Sequence, residues 1–257
     1  MKGEIVEASG ISLELVKRGT GGVPLLFLHP HLGLLRSAPF IEALATRFTV
    51  YAPSHPGFGR SALPRHVTTV DDLAYLYLDL IEALDLDRVV LVGSSFGGWL
   101  AAEIAVKASP RLARLVLIDP VGVRFATREE SDIADIFTMK QSRFEELAYH
   151  DPAIAAIDHA ALSEEDAVIL FRNRESTARF AWSPYMNNPK LRGRLHRIRV
   201  PTLLLWGAAD GIVKPSYGEA YAGLIPGASF AIIARAGHFP HIEEPAAVAD
   251  RIIAFGA

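Results

Sequence analysis

The sequence predicts an α/β protein with a mainly parallel sheet, and three observations carry that reading. Short, largely apolar runs recur at 24–28, 89–92, 115–118 and 202–206. They have strand length and no alternation, the pattern of strands covered on both faces. Segments long enough for a helix separate most of them, which implies βαβ units. No apolar run approaches the ~20 residues that a membrane-spanning helix needs, so the apolar material belongs to a core.

The elements follow in order. Residues 4–8 and 11–18 read as strands joined by a turn at Ser9-Gly10. In the second, Ile11, Leu13 and Leu15 share one face, and Ser12 and Glu14 the other. Residues 19–22 form a glycine-rich turn before the apolar run 24–28. A strand is expected at 48–52. Residues 70–84 have helical spacing at Leu73, Leu76, Leu80, Ile81 and Leu84. Asp71 and Asp72 lie in the first turn, where the helix dipole favours acids. The strand 89–92 precedes a helix at 99–107. Strands at 115–118, 202–206 and 230–233 and a closing helix at 246–255 complete the pattern. From Gly122 to Arg199 the patterns are helical, with no buried strand. The chain therefore divides into a first core part (1–121), a helical insertion placed to cap one end of the sheet (122–199) and a second core part (200–257).

Bulk properties narrow the function. Half of the 257 residues are hydrophobic, enough for one large core without disulfides or metals. The formal charge of −3 is unlike the basic face of a nucleic-acid binder. There is no cysteine, hence no disulfide framework, thiolate nucleophile or thiolate ligand. The N-terminus has no signal-peptide pattern. These features point to a cytoplasmic protein acting on a small molecule, with no nucleic-acid or membrane partner; they leave monomer and homodimer open.

The main chemical signal is Gly93-Ser94-Ser95-Phe96-Gly97 between an apolar strand and a helix. It fits G-x-S-x-G, where a serine on a sharp strand-to-helix turn needs small neighbours so that the turn can close. The bare pattern arises by chance in about one chain of this size in ten; the strand before and the helix after make it far more specific. A serine hydroxyl needs a base. Of nine histidines, His238 follows the last expected strand and precedes the last helix, on the same sheet edge as Ser95. His241 is the nearest rival. The base in turn needs an acid that fixes its tautomer. Asp210, after the strand 202–206 and a turn of small residues, is the first choice, and Asp119, after 115–118, the second. A tetrahedral intermediate needs two N–H donors: Phe96, next to the nucleophile, and His31, in the turn after the third strand, are the candidates. His29, Trp182 and Phe239 are candidate substrate contacts. Among other chemistries, His238 and His241 lack an obvious third metal ligand, and no phosphate loop or dinucleotide fingerprint is present. Neither a metal nor an organic cofactor is expected.

Taken together, His29 at the oxyanion turn, the loop from Pro56 through Gly57-Phe58-Gly59-Arg60 to Ser61, the elbow, Gly207 to Asp210, and Gly237-His238 with Glu244-Pro245 resemble the α/β-hydrolase superfamily along nearly the whole chain. The resemblance implies an eight-stranded sheet with helices on both faces, a helical cap after strand six, and Ser95, Asp210 and His238 as a triad in the order expected of that fold. Relatives usually read His-Gly where this chain reads His29-Pro30. Proline fixes φ and has no N–H, which puts the geometry of that turn in question. Ser95 stands where epoxide hydrolases and haloalkane dehalogenases carry aspartate. Among the serine branches, the carbon–carbon hydrolases of meta-cleavage products look similar in length and cap placement. They typically have Trp after the histidine and Asn-Ser-Met in the elbow, whereas this chain has Phe239 and Ser94-Ser95-Phe96. The resemblance thus implies a carboxylic ester hydrolase first, a carbon–carbon hydrolase second, and a ligand-binding member without turnover third.

Overall fold

The structure, a computed structural model, describes residues 2–127, 130–155 and 162–256. Residues 128–129 and 156–161 of the expected insertion, and the two chain ends, lie outside the described residues. The apolar runs become strands: β1 (Glu4–Ala8), β2 (Ile11–Arg18), β3 (Val23–Leu28), β4 (Phe48–Pro53), β5 (Val89–Ser94), β6 (Leu112–Ile118), β7 (Thr202–Gly207) and β8 (Ser229–Ile233). They form one eight-stranded sheet in the order β1-β2-β4-β3-β5-β6-β7-β8. Only β2 runs antiparallel to its neighbours; every pairing from β4 to β8 is parallel.

Successive side chains of a strand point to opposite faces, so an unbroken apolar run supplies two cores. Leu26, Leu28, Val89, Leu91, Leu115, Leu117, Leu204 and Trp206 face one core, with α2 (Val70–Ala83), α3 (Phe96–Ala105) and α6 (Pro215–Ala222) packed over it. Leu25, Phe27, Val90, Val92, Val116, Ile118, Leu203 and Leu205 face the other, under α1 (Ala38–Ala45) and α8 (Pro245–Gly256). Each fully buried side chain of this kind contributes about 1.5–3 kcal/mol. The N-terminus of α2 is fixed by a capping box: Thr69 accepts from the Asp72 N–H, and the Asp72 carboxylate accepts from the Thr69 N–H.

Three details differ from the sequence reading. The helix expected at 99–107 begins earlier, at Phe96, because Gly97 and Gly98 serve close packing there. A Cβ at Gly97 would lie 2.1 Å from the Leu28 carbonyl oxygen, and one at Gly98 2.8 Å from Pro120 Cβ. The helices α1 and α6 are additional to those expected from the sequence; each is only eight residues long, and α1 buries Phe40, Ile41 and Leu44 on one face. Glu14, assigned to the polar face of β2, is buried. It pairs with Arg60 at 2.8 Å and accepts from the Gly3 and Arg60 N–H groups.

Between β6 and β7 the described residues hold α4 (Gln141–Ala148), α5 (Glu164–Ala181) and two short 3₁₀ turns, Pro152–Ala155 and Leu195–Arg197. They hold no strand there, only the isolated bridges Gly122 to Asn187 and Ile133 to Val213. Ser163 caps α5 by accepting from the Asp166 N–H, and acids fill its first turn. Its buried stripe is mixed: Asn173, Ser176 and Thr177 go inward together with Phe180 and Ala181. Among the described residues no helix is long and apolar enough to cross a membrane. A short α7 (Pro240–Glu243) precedes α8.

Candidate active site

Ser95 sits between β5 and α3 with φ 52° and ψ −113°, a left-handed conformation that costs a non-glycine residue about 1–3 kcal/mol. The surroundings fix it. The Ser95 N–H donates to the Ile118 carbonyl at 2.9 Å. A Cβ at Gly93 would lie 2.2 Å from the Gly97 carbonyl oxygen, so only glycine lets the turn close.

The structure brings Ser95, His238 and Asp210 into one chain of hydrogen bonds. The Ser95 hydroxyl meets His238 Nε2 at 2.8 Å, and His238 Nδ1 meets Asp210 Oδ2 at 2.8 Å. All three residues are at most 3% exposed. The Asp210 carboxylate is held by its own turn: Oδ1 accepts from the Ile212 and Val213 N–H groups at 2.8 and 2.9 Å. Its remaining oxygen is therefore aimed at His238, which sets the Nδ1–H tautomer and leaves Nε2 free to accept a proton.

Asp119, the second candidate acid, is also buried here but does not serve the histidine. One of its oxygens accepts from the Gly207 N–H at 2.9 Å, and the other has no partner among the described residues. Burial, followed by the nearby Asp210 carboxylate, pushes Asp119 well above the usual carboxylate range. Both influences disfavour a second negative charge behind His238. Asp119, Asp210 and His238 bring donor atoms within 4.8 Å of one another. The Asp210 and His238 atoms already hold each other and the backbone.

The oxyanion candidates are placed by the ends of β3 and β5. Neither the Phe96 N–H nor the His31 N–H has an acceptor among the described residues. Pro30 is compatible with the turn because it is used as an acceptor. Its carbonyl takes the Gly33 N–H at 3.0 Å and the His29 Nδ1–H at 2.7 Å. In a trans peptide the next N–H points opposite to that carbonyl, so anchoring the Pro30 oxygen aims the His31 N–H away from the turn.

His29 is not a substrate contact, which corrects the sequence reading. It is completely buried. Its Nδ1 serves Pro30, its Nε2 accepts from the His55 N–H at 3.0 Å, and its ring lies 3.7 Å from that of His55. His55 returns an Nε2–H bond to the His29 carbonyl at 3.0 Å and accepts the Tyr77 hydroxyl proton at Nδ1, 2.6 Å away. Every polar atom of this pair is committed to holding the turn. Burial, despite the bond to Pro30, pushes His29 down to about 4, and burial holds His55 well below its usual value.

Trp182 is also displaced from its expected role. It is 58% exposed and packs on Phe137. Phe239 is fully buried against His238, with ring centroids 4.9 Å apart, and also touches Phe144, Tyr149 and His31. It props the base. The His31 ring lies between Phe144 and Phe239; its Nδ1 is buried without a partner. Burial and then the neighbouring His238 push His31 down to about 3. His241, the rival base, lies behind the elbow among Phe27, Phe40 and Phe239, 3.3 Å from the Ser94 hydroxyl.

Helices α4 and α5 grip this machinery from two sides, and the sequence reading missed the residues that do so. The last two carbonyls of α4 accept from the loops of the acid and the base: Leu147 from Gly211 at 2.8 Å and Ala148 from His238 at 2.7 Å. Glu243 accepts from Gly237 at 2.6 Å and from His150 and Asp151 at 2.8 and 3.1 Å. On the other side Asn173, Ser176 and Thr177 of α5 bond the backbone of the turns 29–33 and 54–61. A pattern could have signalled α5: three polar residues at i, i+3 and i+4 beside Phe180 share the stripe that also carries Phe180.

Comparison with known proteins agrees with this fold. The chain is 27% identical over 264 residues to 2-hydroxy-6-oxo-2,4-heptadienoate hydrolase of Pseudomonas putida, covering 94% of this chain and 91% of that one. It is 28% identical over 251 residues to the dihydrolipoyllysine-residue acetyltransferase component of the acetoin cleaving system of Cupriavidus necator, and spans 65% of that protein's length. A crystal structure of a meta-cleavage product hydrolase variant superposes with a TM-score of 0.81 at 22% identity, covering 99% of this chain and 97% of that one. The profile described as "Alpha/beta hydrolase family" matches residues 20–251. On that match, and on a sheet and elbow of the matching kind, the chain belongs to the alpha/beta hydrolase family.

Proposed function

We propose that this protein is a serine hydrolase that cleaves carboxylic esters of small or medium acyl or aryl groups. The observation that carries the reading is the continuous path from the Ser95 hydroxyl through His238 to Asp210, two contacts of 2.8 Å each, beside two N–H groups without acceptors. His238 Nε2 takes the Ser95 proton as Oγ attacks the ester carbonyl. The Phe96 and His31 N–H groups hold the oxyanion. Asp210 stabilises the imidazolium, which passes its proton to the leaving alcohol. Water, deprotonated by the same histidine, then attacks the acyl-enzyme and frees the acid. Helices α4 and α5, with the rest of the 122–199 segment, act as the cap that shapes the acyl pocket.

A second reading, carbon–carbon cleavage of a meta-cleavage product, is favoured by the likeness to the P. putida hydrolase over nearly the full length of both chains. Against it stand Phe239 and the elbow Ser94-Ser95-Phe96. The experiment that separates the two follows p-nitrophenyl esters of rising acyl length with wild type and Ser95→Ala. Loss of a triad nucleophile lowers kcat by roughly 10³–10⁶-fold. Equal activity of the two proteins sinks the role of Ser95. Inert wild type with turnover of a 2-hydroxy-6-oxo-dienoate moves the assignment to the carbon–carbon branch.

A further inference from the structure

The helix α5 does not only cover the site. Its one buried amide, Asn173, is 3% exposed and reaches two loops at once. Asn173 Nδ2 donates to the Leu32 carbonyl at 3.1 Å, and Oδ1 accepts from the Gly59 N–H at 3.0 Å. The approach is so close that a Cβ at Gly33, where φ is 78°, would lie 2.4 Å from Asn173 Nδ2. Glycine is required at that position by both conformation and space.

The Leu32 carbonyl and the Gly33 N–H are two ends of one peptide plane. That N–H donates to the Pro30 carbonyl at 3.0 Å. The Pro30 carbonyl and the His31 N–H are the ends of a second plane. A continuous relay therefore runs from Asn173 Nδ2–H to Leu32 C=O, from Gly33 N–H to Pro30 C=O, and ends at the His31 N–H. Each hydrogen bond in such a chain polarises the next, and each fixes the plane that carries the next donor.

We propose that Asn173 is a positioning residue for catalysis, which orients and polarises the His31 N–H through the Leu32–Gly33 and Pro30–His31 peptides. The proposal rests on the serine-hydrolase reading, with His31 as an oxyanion donor. It ties the seating of α5 to the competence of the oxyanion site: when α5 moves, the His31 N–H loses its aim.

The test uses the full chain and a fluorophosphonate, which reacts with an activated serine whichever bond the natural substrate breaks. The progress of phosphonylation is resolved into initial binding and the rate of the covalent step, and the modified residue is identified by mass spectrometry. Asn173→Asp keeps the acceptor for the Gly59 N–H and the side-chain shape but loses the donor to Leu32. Its covalent step is expected to slow by about 10–100-fold, with initial binding unchanged; the buried carboxyl lowers the melting temperature, so the rates are compared at a temperature where both proteins are fully folded. Asn173→Ala slows at least as much. Arg172→Ala removes the neighbouring grip of α5 on the Gly59 and Ser61 carbonyls but not the relay, and stays within about twofold of wild type. Wild-type rates in Asn173→Asp overturn the proposal. So does equal slowing in Arg172→Ala, since the effect then belongs to cap seating in general. Absence of labelling at Ser95 in wild type is a different result, and overturns the serine-hydrolase reading itself.

Discussion

Lowering the pH from 7 to 5 should destabilise this fold by several kcal/mol through its buried histidines. His29, His55 and His241 are completely buried. Burial holds His29 down to about 4, His241 down to about 3 and His55 well below its usual value, against 6.5 in an unperturbed chain. Between those values the unfolded chain binds protons that the native chain does not. Their contribution is therefore complete above the unfolded value and is lost as the pH falls towards the native ones. Over this window His29, His31 and His241, with native values of about 4, about 3 and about 3, account for about 2 kcal/mol each, and His55 adds in the same sense. Asp119 works in the opposite sense. Its native value is raised, so its contribution improves on acidification and offsets part of that loss. The balance is a large share of the 5–15 kcal/mol typical of a domain. Urea unfolding at pH 7 and pH 5 measures it. His241→Asn isolates one group: whatever it does to stability at pH 7, the difference between the two pH values should shrink by about 2 kcal/mol. An unchanged difference in that variant, or a wild-type stability that is flat from pH 7 to 5, would refute the reasoning.

Two further predictions come from the same geometry. Gly97→Ala places a methyl 2.1 Å from the Leu28 carbonyl oxygen and 2.5 Å from that of His29, backbone atoms at the root of the oxyanion turn. It should destabilise by about 3 kcal/mol or more, with loss of Ser95 labelling; a urea midpoint equal to wild type would show that the elbow is looser than described. Asp119→Asn can still accept from Gly207 and can donate towards Asp210 without a buried acid. It should raise the melting temperature more at pH 8 than at pH 4, where the unfolded carboxyl is itself partly protonated, and thermal scans at the two pH values decide it.

The parts legible in the sequence are those with a short-range cause. The apolar runs of β3, β5, β6 and β7 announce a sheet covered on both faces, because runs this short are strand-length and find an apolar environment only between two layers. The elbow is legible because Gly93 and Gly97 are demanded by atoms within a few residues or on the next strand. The sequence favours Asp210 over Asp119 by the turn of small residues before it, but the physical cause lies in the structure. Both follow buried strands on the same edge, and only the turn at 210–213 directs a carboxylate oxygen to the histidine. The roles of His29 and Trp182 were misread for a different reason. A histidine in an oxyanion turn and a tryptophan at the end of a helix are identified by what surrounds them, and those surroundings come from residues 26 and 45 positions away. Asn173 was missed because a polar residue within a helix ordinarily reads as solvated.

The two grips on the active site differ in what they ask of evolution. Helix α4 holds the acid and base loops through main-chain carbonyls at Leu147 and Ala148, and a carbonyl is the same for every amino acid. The outward residues of α4 are therefore open to wholesale replacement, provided its last turn ends where it does. Helix α5 holds its loops through the side chains of Asn173 and Ser176, and these contacts depend on the residue type. A library that recasts substrate preference can thus randomise α4 broadly, while grafting a foreign α5 would carry away the very atoms on which its neighbour loops depend.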